Sequence, residues 1–410
     1  ILFGFVILGA VLLYQPLLTA FLADYLNSSN VRIFIALKEL VSVILLLILL
    51  SKNFNKIKLI FVDYSLILFI LFYFIYFLIS GAPLFLRIIS LREGMMIFVF
   101  YSIGRLALLS DLKLYSLTKY LITIGLFAAL FGLIERFIFS QEIWSSVGGF
   151  KYIGLKYDAN FNEYGFISNW YTYINSDIKV RRIVGTVLEP TSFSRVIAFL
   201  ALLAFFSNKI FTNTNKNFIL YFLFLAFVVS IGLSRGGFII LVSGISFYIY
   251  NKSSYISIFL VPIFAILLFN TSLFSLESAN ATRHFAGLFE GLDASLRKPL
   301  GHGLGASGQL AVLYGDLTGD ERVSESFIGG VGYQLGVLGI SLYSLFFISL
   351  LRYLYINKFV SKSLVYLCFS SSLAVYLTSF LSNSAVAPIS SGFILIYSGI
   401  CISKINERLI

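Results

Sequence analysis

Ala281-Thr282-Arg283-His284, then Arg297-Lys298-Pro299-Leu300-Gly301-His302-Gly303-Leu304-Gly305, then Ser324-Glu325-Ser326 fall within one polar interval, 276–326, between two strongly apolar blocks. Ionisable groups gathered between hydrocarbon-like runs call for a counter-charge. The expectation is an anionic, lipid-carried group at a membrane surface. Outward from this interval the chain is 59% apolar and only 12% charged, whereas soluble domains carry roughly 25% charged residues. A soluble globular domain is excluded, and the class is a polytopic membrane protein. About 20 apolar residues cross roughly 30 Å of hydrocarbon as a helix. The alternation of barrel strands is absent, so the fold class is all-α.

Apolar blocks at 1–23, 33–50, 64–79, 86–109, 121–139, 193–206, 218–233, 238–250, 255–274, 327–351, 364–381 and 385–402 give about twelve transmembrane helices in a single domain, 1–410. Alternate connections hold Lys52, Lys56 and Lys58; Arg105, Lys113 and Lys119; Lys209 and Lys216; Lys252; Arg352, Lys358 and Lys362; and Lys404 and Arg408. Short loops rich in Lys and Arg stay cytoplasmic, so both termini are expected there. Two long loops, about 140–190 and 276–326, then face outward. They carry basic residues against that trend, as long loops do. With a net charge of +11, anionic lipid headgroups or a diphosphate are the matching partners, and nothing points to nucleic acid. Cys368 and Cys401 both lie in apolar runs, so neither a disulfide framework nor a cysteine metal site is expected. The chain starts at Ile1 without Met, and a preceding segment is expected.

Four segments have the residues for chemistry. Arg181-Arg182-Ile183-Val184-Gly185, followed by Glu189-Pro190-Thr191-Ser192, leads from the first long loop into a span. Pro190 suits a first helical turn, whose free N–H groups favour an anion; an interfacial cap with snorkelling arginines is the alternative. Ser234-Arg235-Gly236-Gly237 fills a turn of almost no length, where two glycines allow close approach of backbone and ligand. The third segment, Arg283 through Gly305, lacks both a preceding strand and the Gly-Lys-Ser/Thr ending of a phosphate loop, which excludes that nucleotide motif. His284 and His302 are the only histidines and have no matched acidic neighbour, so no metal site is expected. The fourth is Glu325, ahead of a helix containing Gly329, Gly330, Gly332, Gly336 and Gly339. It reads either as a cap favoured by the helix dipole or as a general base facing the arginines.

Taken together, Arg-x-x-Gly before a span, Ser-Arg-Gly-Gly between spans, Arg then Pro-Leu-Gly-x-Gly-x-Gly in a late external loop, and Glu-Ser before a Gly-x-x-Gly helix resemble the O-antigen polymerase and ligase superfamily over about 182–345. The resemblance implies a C-type glycosyltransferase-like fold and a lipid-linked sugar transferase at the outer face of the bacterial cytoplasmic membrane. Donor and acceptor would both be undecaprenyl-diphosphate-linked oligosaccharides, and a chain-length regulator protein is a further implied partner. The ligases of that family carry a His where this chain has Glu325, which favours a polymerase over a ligase. In that reading Arg182, Arg235 and Arg283 hold the leaving diphosphate, because guanidinium forks match phosphate oxygens. Glu325 takes the hydroxyl proton. Glu189, His284 and His302 line the substrate site, and no cofactor is needed.

Arg87 and Arg92 lie near the outer end of one span, about 140° apart around a helix, so one of them is expected to face the site, and Arg87 is the choice. Trp144, Trp170 and the tyrosines of 152–173 read as an interfacial aromatic belt, with sugar stacking as the alternative. Asp24 reads as an interfacial cap. A transporter of lipid-linked glycan is the competing class; it calls for charges inside spans and for internal repeats.

Overall fold

The computed structural model describes residues 1–156, 165–173, 179–210, 217–252, 279–307 and 325–409. The expected span at 255–274 and the central part of the late loop lie outside them. The helices are α1 (Leu2–Leu22), α2 (Ser28–Ile35), α3 (Leu37–Asn53), α4 (Phe61–Ile79), α5 (Leu84–Leu106), α6 (Asp111–Ile138), α7 (Gln141–Ser146), α8 (Gly149–Lys156), α9 (Pro190–Ile210), α10 (Asn217–Ile231) and α11 (Arg235–Lys252). After these come α12 (Ala279–Arg297), α13 (Phe327–Ile356), α14 (Lys362–Ser379) and α15 (Pro388–Leu409).

Among the described residues six helices are long and apolar enough to cross a membrane: α1, α4, α6, α9 over Pro190–Ser207, α13 and α15. Two shorter apolar helices, Asn217–Ile231 and Arg235–Tyr250, accompany them. The outer surface of the bundle carries Leu18, Leu47, Leu68, Leu78, Phe127 and Leu220, all exposed. So much exposed apolar surface is untenable in water and natural against lipid. The all-α membrane class therefore stands at this level. One departure is a two-stranded antiparallel ribbon in the first long loop, β1 (Tyr171–Tyr173) with β2 (Lys179–Arg181), in the register Thr172 to Val180.

α9 and α15 are the innermost helices. Phe193, Ile197, Phe199, Leu200 and Phe206 of α9 are buried beside Phe393, Ile394, Tyr397 and Ile400 of α15. Small residues set the closest approaches. Gly104 of α5 faces the Ile396 backbone, and Gly399 of α15 meets the turn at Tyr101 and Arg105, so these two helices touch backbone to backbone.

Charges at one end of the bundle sit differently from the expected loop placement. Arg105 is not in a loop: it lies within α5 and pairs with Asp63 of α4 at 2.8 Å. Its Nη1 donates to Ser403 Oγ at 2.9 Å, and Tyr101 donates to Asp63 Oδ1 at 2.7 Å. α6 also begins ten residues before the expected block, at Asp111, whose carboxylate favours a helix start and accepts from Lys404 at 3.0 Å. Lys113 and Lys119 therefore ride on the helix.

Among the described residues the aromatic side chains of the first long loop form neither an open stacking platform nor an exposed belt. Trp144 and Trp170 are fully buried with ring centroids 5.3 Å apart, and Phe150 and Phe166 pack around Trp170. This satellite core fixes the loop that delivers Arg182. Asp24 lies 3.8 Å from Lys151 of α8 in a half-exposed pair.

Candidate functional site: an arginine cluster beside a broken helix

The site starts with the loop ahead of α9. Two successive arginines at the end of β2 part ways there. Arg181 turns to α6: it pairs with the buried Glu135 at 2.5 Å and lies 4.5 Å over the Phe166 ring. Glu135 Oε2 also accepts from the N–H groups of Val184 and Gly185, at 3.2 and 3.4 Å. The turn is thus clamped to α6, and the next side chain points elsewhere. Arg182 donates through its backbone N–H to the Trp170 carbonyl at 2.7 Å and through Nη1 to the Asn169 carbonyl at 3.3 Å. Its Nε is buried without a partner.

α9 was expected to leave its first N–H groups open to an anion. Glu189 already occupies them, accepting from the Thr191 and Ser192 N–H groups at 3.0 and 2.6 Å and from the Thr191 hydroxyl. Burial alone would raise the Glu189 carboxyl, but the bonds from Ser192 and Thr191, with Arg195 nearby, hold it below the ordinary carboxylate range. Glu189 is therefore a helix cap and the counter-charge of a cluster.

Arg195 stands on the second turn of α9, only 3% exposed. Its Nη1 donates to Ser384 Oγ at 2.6 Å, and its Nε has no partner. The glycines of the Ser-Arg-Gly-Gly turn make room for it. A Cβ on Gly236 would run into Arg195 Nε, and one on Gly237 would stand 2.6 Å from the Ser194 carbonyl oxygen. The close approach expected of these glycines is real, and its partner is α9. Arg235 begins α11 beside them. Burial pushes the Arg182 guanidinium down to about 10; Glu189 opposes that shift and the like charge of Arg235 adds to it. Arg182 and Arg195 thus stand near one carboxylate, with Arg235 near Arg182, and the surplus is positive. The hydroxyls of Ser194 and Ser234 are also buried without partners. Such a set of donors fits an oxyanion with several acceptor oxygens.

The glycine-rich loop packs against a break in α13. α13 is interrupted at Gly336, where φ is 68° and ψ −163°. The carbonyls released by the break accept from the loop: His302 N–H to Tyr333 O and Gly303 N–H to Gln334 O, both 2.9 Å. Val337 N–H returns a bond to Pro299 O at 3.1 Å, and Gly305 N–H donates to Gln334 Oε1 at 2.9 Å. α4 joins through Ser80 Oγ, which accepts from Leu304 N–H at 2.6 Å, and through Tyr76, whose hydroxyl donates to Leu300 O at 2.5 Å. Gly301, Gly303 and Gly305 all have positive φ, which explains the glycine at every second position. His302 stacks on Tyr333 at 4.3 Å between centroids. Arg87 passes near this loop and donates to the Phe77 carbonyl at 2.9 Å. It is not among the groups around Arg182.

Glu325 immediately precedes Ser326, whose hydroxyl caps α13 by accepting from Gly329 N–H at 2.9 Å. The Glu325 carbonyl accepts from Asn383 N–H at 2.8 Å. The next residue, Ser384, is the partner of Arg195, so one short turn before α15 joins Glu325 to the arginine cluster. Of Arg283 and His284 the backbone is described, on the first turns of α12, and their side chains lie outside the described residues. α12 lies parallel to the first half of α13: a Cβ on Gly291 would stand 2.5 Å from Gly329 Cα, and Pro299 meets Val337. Arg283 is about 12 Å of helix before Gly291, and Glu325 about 6 Å of chain before Gly329. The two ends of the late loop thus return to the same end of the bundle.

Three features were missed at the level of sequence: Arg195, the Asn383–Ser384 turn and Glu93. Arg195 had a signal, since an arginine one turn inside an apolar span is expensive and marks a site; it was absorbed into the apolar block. The turn is short and neutral and had none.

The fold and the cluster define a helical membrane protein with an arginine-lined, oxyanion-fitting site at one end of its bundle. The chain matches no family model and no curated protein sequence.

Proposed function

We propose that the chain polymerises lipid-linked oligosaccharides at the outer face of the bacterial cytoplasmic membrane. It transfers glycan from an undecaprenyl-diphosphate donor to a sugar hydroxyl of a second lipid-linked unit. The observation that carries this reading is the convergence of Arg182, Arg195 and Arg235 on one place, with two guanidinium Nε–H groups left without partners. In glycosyl transfer from such a donor the diphosphate gains charge as the bond to the anomeric carbon breaks, and preorganised donors stabilise that charge. Glu189 keeps the arginines from repelling one another until the substrate arrives. Glu325, joined to the cluster through Asn383 and Ser384, stands in this reading as the proton acceptor. A chain-length regulator is a further partner in it. The test is chain lengthening of lipid-linked oligosaccharide by the Arg182→Ala and Arg195→Ala variants: both lose it while still inserting as folded protein, and wild-type lengthening by both variants would sink the proposal.

Arg195 and Glu93 within helices favour one competitor, a carrier of lipid-linked glycan, because charges inside spans mark substrate pathways. A carrier moves its substrate unchanged, so product length separates the two.

A further inference from the structure

Glu93 lies about two and a half turns into α5, yet its side chain is exposed. It lines a small cavity of ≈ 30 Å³ with Tyr73, Ser90, Ser307, Gln334 and Asn383. That volume holds about one water-sized group. The carboxylate makes no hydrogen bond or ion pair with any described residue, and the charge of the neighbouring Arg92 acts on it. An ionisable residue within a span marks a candidate site, so the groups gathered around Glu93 are where its ligand is read.

The polar groups around Glu93 identify the chemistry of that ligand. Gln334 is committed at both ends: Oε1 accepts from Gly305 N–H at 2.9 Å, and Nε2 donates to Ser307 Oγ at 3.1 Å. Ser307 already accepts, so its own proton is the one it can offer. Tyr73 and Ser90 add further hydroxyl groups. The cavity therefore presents hydroxyl donors opposite one strong acceptor, and a group that both donates and accepts completes it. A hydroxyl does so. Asn383 closes the cavity on the side of Ser384, to which Arg195 donates at 2.6 Å, so the cavity and the arginine cluster lie on adjacent residues of one turn.

We propose that this cavity receives the attacking hydroxyl of the acceptor sugar and that Glu93, rather than Glu325, takes its proton. The inference rests on the transferase reading above and changes the base within it. The O–H bond breaks with its proton passing to a Glu93 oxygen, and the hydroxyl oxygen forms the new bond to the anomeric carbon of the donor. The bond from that carbon to the diphosphate oxygen breaks, and its electron pair leaves on the diphosphate held by the arginines. Glu93 then returns the proton to solvent through the open mouth of the cavity.

The test uses the purified full chain in lipid nanodiscs and, as substrate, lipid-linked oligosaccharide extracted from cells deleted for the chain. Initial rates of lengthening are followed from acid to neutral pH. Glu93→Gln lowers kcat by about 10²- to 10⁴-fold, the span of general base catalysis, moves KM little and abolishes the acidic limb of the rate profile; Glu325→Gln keeps that limb. A Glu93→Gln protein with wild-type kcat and an intact acidic limb overturns the inference, and if Arg195→Ala is inactive in the same assay the transferase reading survives. Wild-type activity in Arg195→Ala, or no product from the wild type, removes that reading and this inference with it. Should Glu93→Gln fail to fold, the wild-type chain is treated with dicyclohexylcarbodiimide: peptide mass finds modification at Glu93, slowed several-fold by saturating lipid-linked oligosaccharide. Modification at an undiminished rate overturns the inference.

Discussion

Gly336→Ala tests how the glycine-rich loop is held. Gly336 combines φ 68° with ψ −163°, a region only glycine occupies comfortably. A Cβ there would run into the Pro299 carbonyl oxygen and stand 2.7 Å from the Gly301 nitrogen. The substitution forces either a strained residue, costing about 1–3 kcal/mol, or a retreat of the loop. Retreat breaks Val337 N–H to Pro299 O at 3.1 Å and His302 N–H to Tyr333 O at 2.9 Å, bonds worth roughly 0.5–1.5 kcal/mol each. By either route the effect is about 1–3 kcal/mol, or roughly 5- to 150-fold in the local opening equilibrium. Hydrogen exchange of the His302 and Gly303 amides in detergent-solubilised protein reads that opening, because both N–H groups are bonded to carbonyls freed by the break. Exchange in Gly336→Ala within about threefold of wild type would refute the reasoning, since the loop would then not depend on the break in α13.

Further predictions address separate parts of the account. Arg195→Lys keeps the charge but loses the fork and its bond to Ser384, and transfer falls about 10²-fold or more in a lengthening assay. Asp63→Asn leaves Arg105 buried without its counter-ion, which costs about 3–5 kcal/mol read as a lower thermal midpoint in detergent. Glu189 has a folded pKa below its unfolded value of about 4.3, so its stabilisation is fully present above that pH and is lost as pH falls through the folded pKa. In Glu189→Gln this acid-dependent part of the thermal midpoint disappears. Because guanidiniums supply the positive charge, a metal chelator leaves the lengthening rate of the wild type within about twofold.

The sequence made the membrane class and most helices legible, because hydrocarbon thickness imposes a length and a composition that any sliding reading finds. It marked Arg182, Arg235 and the glycines 301–305 as unusual, since charge and positive-φ residues cost something wherever they occur. The purpose of those glycines was not legible. Their partner is a helix break at Gly336, some thirty residues on, and nothing local in Gly-x-x-Gly distinguishes a break from a packing face. Glu189 looked like a ligand for substrate because the free N–H groups of α9 are a general property, whereas its own side chain folding back onto them is specific. Arg105 was counted in a loop because Asp63, which draws it inside, is far away in sequence. Nothing in the sequence singles out Glu93 beside Arg92; the cavity does.

The central claim is that the arginine cluster serves glycosyl transfer between two lipid-linked units. Purified chain in nanodiscs, given lipid-linked oligosaccharide extracted from cells deleted for it, answers this directly by product length. The account predicts a ladder of longer lipid-linked chains from the wild type and none from Arg195→Ala; unchanged oligosaccharide from a folded wild-type protein, or an undiminished ladder from Arg195→Ala, would contradict it.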